Sequence, residues 1–140
     1  MPDDAAPLIC VLGDAHLDVI VRIDGPVAPD TDTPARTAVT VGGQAANVAA
    51  WVAELGGRSR VIAGRAADPG GALVAAELAR RGVDLRGPRI PGAHTGVVIS
   101  LSDGGSQRSM LTDRGAGPLL PAAAIEPAWL GGCAWLHLSA

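Results

Sequence analysis

Two short stretches gather the residue types from which a ligand site is usually built. In "GDAHLD", residues 13–18, Asp14, His16 and Asp18 alternate directly after an apolar run. In an α/β sheet the carboxyl end of a strand is where ligands sit. In "VGGQAANVAAWVAELGG", residues 41–57, Gly42 and Gly43 lead into Gln44 and Asn47 at a strand-to-helix junction. Lacking Cβ atoms, the two glycines let backbone approach a ligand closely, and the N–H groups of the first helical turn are free to bind ligand oxygens. A sugar hydroxyl fits that surface as well as a phosphate does. On the helical period Asn47 falls beside Val48 and Trp51, at the border of an apolar stripe, and is expected to point toward the sheet. An amide there either bonds neighbouring backbone or reads a ligand, because leaving it unpaired costs roughly 1–3 kcal/mol.

The carboxylates carry different readings. Asp18 begins an otherwise apolar strand, where a charge is costly unless it binds something. Asp14 reads as a turn or cap residue. Asp14-x-His16 also matches the metal pair that opens a metallophosphoesterase, but that class needs further Asp, Asn and His ligands, and His94 and His137 lack that context.

The elements around these stretches follow from pattern. "LICVL" (8–12) is a continuous apolar run and "LDVIVRID" (17–24) a more open one, giving two strands joined at "GDAH". "GPVAPDTDTPAR" is a loop, because its prolines exclude helix, and it leads into a strand near "TAVTV". Val48, Trp51, Val52 and Leu55 set a helical stripe from Gln44 onward, closed by Gly56 and Gly57. "SRVIAG" is a short strand, and a second helix follows with Asp68 as N-cap, Pro69 at the first position, two arginines in the last turn and Gly82 at the C-cap. After "VDLRGPRIPG", the runs "TGVVISL" and "QRSMLT" form a hairpin about "SDGGS". "LLPAAAIEPAWLGG" is a short helical turn with loop, and "CAWLHLSA" is expected to be a buried strand. Alternating strands and helices make the chain α/β.

Composition narrows the partners. With 140 residues, 48% of them hydrophobic and 18% charged, the chain is globular and forms one domain. All eleven basic residues are arginine, yet none gather into a basic face and the net charge is −3, so a nucleic-acid partner has no electrostatic support. Cys10 and Cys133 lie far apart in apolar runs and read as buried, reduced thiols rather than a disulfide or metal knuckle. The start carries Asp3 and Asp4 instead of a basic leader, and no apolar run approaches the roughly 18 residues that cross a bilayer, so a cytoplasmic protein without a membrane partner is expected.

Taken in order, "ICVLGDAHLDVIVRID", "VGGQAANVAAWVAELGG", "GVDLRG", "TGVVISL" and "QRSMLTDRGA" resemble the amino-terminal half of the ribokinase-like, or PfkB, family of sugar kinases, whose first signature is the Gly-Gly-x-x-x-Asn segment. The resemblance implies a central, mainly parallel sheet with helices on both faces, plus a small β-lid supplied by residues of about 17–41 and 95–112, with 1–140 forming an incomplete domain. It implies phosphorylation of a hydroxymethyl group of a sugar, sugar phosphate or nucleoside with ATP and Mg²⁺. By position, Asp18 resembles the carboxylate that accepts hydrogen bonds from sugar hydroxyls, and His16 stands where a polar sugar contact is common. Gly43 and Asn47 resemble backbone and amide contacts of the same pocket, with Gln44 at a variable position beside them. Arg108 resembles an Arg near the substrate, a solvated lid Arg being the alternative. Ser139 stands where ribokinases carry a Glu that helps hold ribose, a departure that argues against ribose itself.

"DRGAG", residues 113–117, superficially resembles the family's second signature, Gly-Ala-Gly-Asp, but Pro118 stands in place of the catalytic Asp. It is not read as the catalytic loop. In this family the base, the anion hole and the ATP cradle come from the second half. The expectation is therefore a sugar-side fragment, without a catalytic residue or bound cofactor, inactive alone, and able to pair with a second copy through the lid edge. A non-catalytic sugar- or nucleoside-binding or interaction module is the alternative.

Overall fold

The run Leu8–Leu12, apolar without alternation, becomes the inner strand β1 of a parallel sheet, with Cys10 and Val11 wholly buried in the computed structural model. The structure describes residues 6–105 and 107–139. The acidic start at Asp3 and Asp4, Ser106 of the hairpin turn and the last residue, Ala140, lie outside these.

The strands are β1 (Leu8–Leu12), β2 (His16–Ile23), β3 (Ala35–Gly42), β4 (Arg58–Ile62), β5 (Val83–Arg86), β6 (Thr95–Ser102), β7 (Arg108–Gly115) and β8 (Cys133–Leu138), with helices α1 (Gln44–Glu54) and α2 (Pro69–Arg80). They form two sheets. The first, ordered β5-β4-β1-β8, is parallel throughout; the second, β3-β2-β6-β7, pairs β2 and β6 in parallel and flanks them with antiparallel strands. The junction "GDAH" thus carries the chain from one sheet to the other, and the β6–β7 pair is the expected hairpin.

Val11, Val61 and Val83 of the first sheet, with Ala63 just past β4, share one core with Ala45, Ala46 and Ala49 of α1 and Val74 and Leu78 of α2, so both α-helices cover the same face. On the opposite face the Arg60 guanidinium donates to the carbonyl of Trp129 at 2.7 Å, in the short turn Pro127–Leu130. Of the expected stripe of α1, Val48 packs against this core, but Trp51 and Leu55 do not. Trp51 is 66% and Leu55 82% exposed, and the alanines face the core, because methyl groups allow the helix backbone to settle closely on β1 and β4. The C-cap stands as expected: Gly56 has φ +86°, its N–H reaches Ala53 O, and Gly57 N–H reaches Val52 O.

Asp68 caps α2 by accepting the Gly71 N–H at 2.8 Å, and its other oxygen accepts the N–H of Thr95, the first residue of β6. One carboxylate thereby ties α2 to the second sheet. The Thr95 hydroxyl, which also donates to Asp68 Oδ1, and after it these two N–H groups hold the Asp68 carboxyl down at about 2.

Two further corrections concern β8. It was expected to be buried, yet Trp135 is 66% and Leu138 67% exposed. As the edge strand of the order β5-β4-β1-β8 its one strand neighbour is β1, and a local apolar run cannot show what lies over it. Cys133 is half-buried rather than buried, and the pairing of Leu8 with Cys133 puts its thiol on the same face as Cys10. Both cysteines are free; burial and the neighbouring Cys133 thiol push Cys10 up to about 12. Among the described residues no helix is long and apolar enough to cross a membrane.

Candidate functional site

The two stretches that opened the sequence reading meet in space. Asp14, His16, Asp18, Gly43, Gln44 and Asn47 line one open hollow of about 460 Å³, walled on its other side by Val98 of β6 and by Met110, Thr112 and Arg114 of β7. The meeting follows from topology: β2 and β3 pair from His16–Gly42 to Ile23–Ala35, so the end of β3, where α1 begins, returns to the start of β2.

His16 is the electrostatic centre. Its Nδ1 lies 3.5 Å from Asp14 Oδ2 and its Nε2 3.1 Å from Asp18 Oδ1. The Asp14 carboxylate, ahead of Asp18, raises the imidazole above its ordinary value against the effect of burial. Asp14 in turn is held down at about 2, chiefly by His16 and then by N–H groups of α1. A raised His contributes stability that is complete below the ordinary value of about 6.5 and is lost as pH rises through the raised one. A lowered Asp contributes stability above its ordinary value that is lost as pH falls through about 2. Urea-denaturation stability is thus expected to decline as pH rises above about 6.5, and His16→Gln should flatten that decline; superimposable pH profiles for the two proteins would contradict the pairing.

The two glycines differ in what their missing Cβ atoms make room for. A Cβ on Gly42 would land on the Asp18 carboxylate, so this glycine houses the Asp18 side chain rather than leaving backbone bare. Gly43 has φ +104°, and a Cβ there would sit 2.6 Å from Asp14 O. The first turn of α1 is not free either. Ala45 N–H points at Asp14 Oδ1 at 3.4 Å and Ala46 N–H donates to Asp14 O at 3.2 Å, so Asp14 caps the helix from 31 residues away. The cap reading of Asp14 holds.

Asn47 is exposed and faces the hollow from the flank of α1, not the sheet, because the buried face of the helix runs through Ala45, Ala46 and Ala49. Ser139, just past β8, lines an adjoining hollow with Gly13, Asp14 and Arg114, and its hydroxyl donates to Gln44 Oε1 at 3.1 Å. Arg108 is not brought to the hollow: it pairs with Ser102 at the far end of β7. Arg114, not Arg108, lines the hollow. The signal for it in the sequence is the period of two from Arg108 through Met110 and Thr112 to Arg114, which overlaps the "DRGAG" segment. In that segment Gly115 N–H goes to Asp113 Oδ1 and Ala116 N–H to His94 O, so neither amide is available to an anion.

The family described as "pfkB family carbohydrate kinase" matches residues 6–127. A fructokinase of Escherichia coli is 33% identical over 132 residues, an overlap that covers 93% of this chain and 39% of that protein. Among solved structures, the fructokinase from Xylella fastidiosa superposes with a TM-score of 0.78 at 25% identity, covering 94% of this chain and 40% of its own. The Arabidopsis thaliana ribokinase complexed with ribose and ATP gives 0.78 at 23% identity, with 95% and 45% covered. The chain therefore spans about two fifths of the length of these relatives.

Proposed function

From the membership of this chain in the PfkB family of carbohydrate kinases, we propose that it is the acceptor-binding part of an enzyme that transfers the terminal phosphoryl group of ATP to a hydroxymethyl group of a sugar, sugar phosphate or nucleoside. The observation that carries the reading is the hollow in which Asp18, Asn47, Gly43 and Gln44 face one another across His16. A carboxylate is a pure acceptor and an amide both donor and acceptor, a combination suited to hydroxyl groups, each of which does both. In the proposed complex Asp18 accepts from acceptor hydroxyls, Asn47 bonds others from the helix flank, and Ser139 acts through its bond to Gln44. The charged pairing of His16 with Asp14 and Asp18 keeps the Asp18 carboxylate fixed before the sugar arrives. The second sheet would serve as the lid, through its strands at 16–23, 35–42, 95–102 and 108–115.

The described residues are not assigned to ATP and Mg²⁺ in this proposal. No group of three or more His, Cys, Asp or Glu side chains among them is placed to hold a metal, and the amides of Gly115 and Ala116 are already bonded. ATP, Mg²⁺ and the catalytic base belong, in this proposal, to residues outside this chain. The enzyme is proposed to be cytoplasmic. Pairing of two copies through the second sheet is proposed from the exposed Val39 and Leu111, which lie in one row with Val19 and Ile99.

The test is ATP-dependent phosphorylation by the complete protein across neutral sugars, sugar acids, sugar phosphates and nucleosides, read as ADP release. One class should be turned over. Tight binding without turnover would favour a binding module, and neither binding nor turnover would end the proposal.

A further inference from the structure

Arg114 stands apart from the other charged groups around the hollow. His16 is engaged by two carboxylates, whereas Arg114 lines both this hollow and its neighbour and has no hydrogen bond or ion pair among the described residues. Its position across the sheet is defined by register. Asp18 is opposite Val98, and Val98 is opposite Thr112; Arg114 is the next residue on that face of β7, between the pairs Val97–Asp113 and Thr95–Gly115. Gly96 lies beside it, so no side chain stands on the sheet surface there. Asp18 and Arg114 are therefore separated by two strand spacings and a two-residue step along β7, about 12 Å between backbones, over a floor made by Val98 and Thr112. That is the reach of a small acceptor lying across the sheet with hydroxyls at one end and a different group at the other.

We infer that Arg114 is a specificity-determining residue that selects an acceptor carrying an anionic group, a carboxylate or a phosphate, at the end remote from Asp18. The inference rests on the acceptor site proposed above. A guanidinium presents a planar fork of donors that matches both anions and is weakly hydrated, so an exposed, unpaired one at the end of the Val98–Thr112 floor favours an anion over a neutral hydroxyl. A neutral sugar would leave it with water alone.

The experiment compares, in the complete enzyme, kcat/KM for a neutral sugar, the sugar acid derived from it and its phosphate ester. One anionic acceptor is expected to exceed the neutral parent at least tenfold, and whichever of the two does so identifies the anion. Arg114→Gln should reduce that ratio tenfold or more, and Arg114→Lys, which keeps the charge without the fork, should fall between. A preference for the neutral parent, or a ratio unchanged in an Arg114→Gln protein of normal melting temperature, would overturn the inference and leave the kinase proposal standing. Failure to phosphorylate any acceptor would remove the kinase proposal and this inference with it.

Discussion

Replacing Asp18 by Ala is expected to lower kcat/KM of the complete enzyme for its acceptor by about three orders of magnitude, with the melting temperature changed by only a few degrees. A hydrogen bond to a charged group is worth roughly 1.5–3 kcal/mol. Two hydroxyls on one carboxylate therefore amount to about 3–6 kcal/mol, with every 1.4 kcal/mol a factor of ten. The change would also leave His16 Nε2 without its 3.1 Å partner and loosen the ring that faces both stretches of the site. The fold is insulated from the loss because Asp18 is part-exposed on β2 and its strand is held by pairing on both sides, to Thr40 and to Val98. Steady-state kinetics beside a thermal melt would check this. A drop of less than tenfold would mean that the sugar hydroxyls bind elsewhere.

Gly42→Ala is expected to have the second-largest effect, at least thirtyfold on acceptor affinity, although the methyl group touches no acceptor. Its Cβ would occupy the space of the Asp18 carboxylate, and a short side chain can leave that space only by turning away from His16 and the hollow. The backbone at Gly42 lies in strand β3 and is outside the left-handed region, so Ala itself is compatible with the fold. If the methyl acts through Asp18, adding Gly42→Ala to Asp18→Ala should cost nothing more, the non-additivity expected of groups in one contact. Additive losses in the double variant would separate the two residues. Gly43 is the contrast: with φ +104° and Asp14 O close by, its substitution should reduce stability first.

How much of this was legible beforehand depended on the range of the interactions. The cap of α2 was readable because Asp68, Pro69 and Gly71 are neighbours in sequence, and the Gly56 and Gly57 termination of α1 for the same reason. The hollow was readable as two clusters, since residues two apart on a strand share a face. What faced them was not. The cap on α1 comes from Asp14, and the wall carrying Arg114 comes from β7, which depends on strand order rather than on any local pattern. The helical period sets Asn47 beside an apolar stripe that includes Trp51 and Leu55 and so points it inward, whereas close packing over β1 and β4 favours Ala45, Ala46 and Ala49. The same bias toward apolar content made β8 look buried.

Asp18 is proposed as the carboxylate that holds the acceptor, and calorimetric titration tests this without depending on turnover. The acceptor found by phosphorylation would be titrated into the complete wild-type enzyme and into its Asp18→Ala variant. Saturable binding to the first, and affinity at least a hundredfold weaker in an equally folded second, is the predicted result. Equal affinities in the two proteins would contradict it.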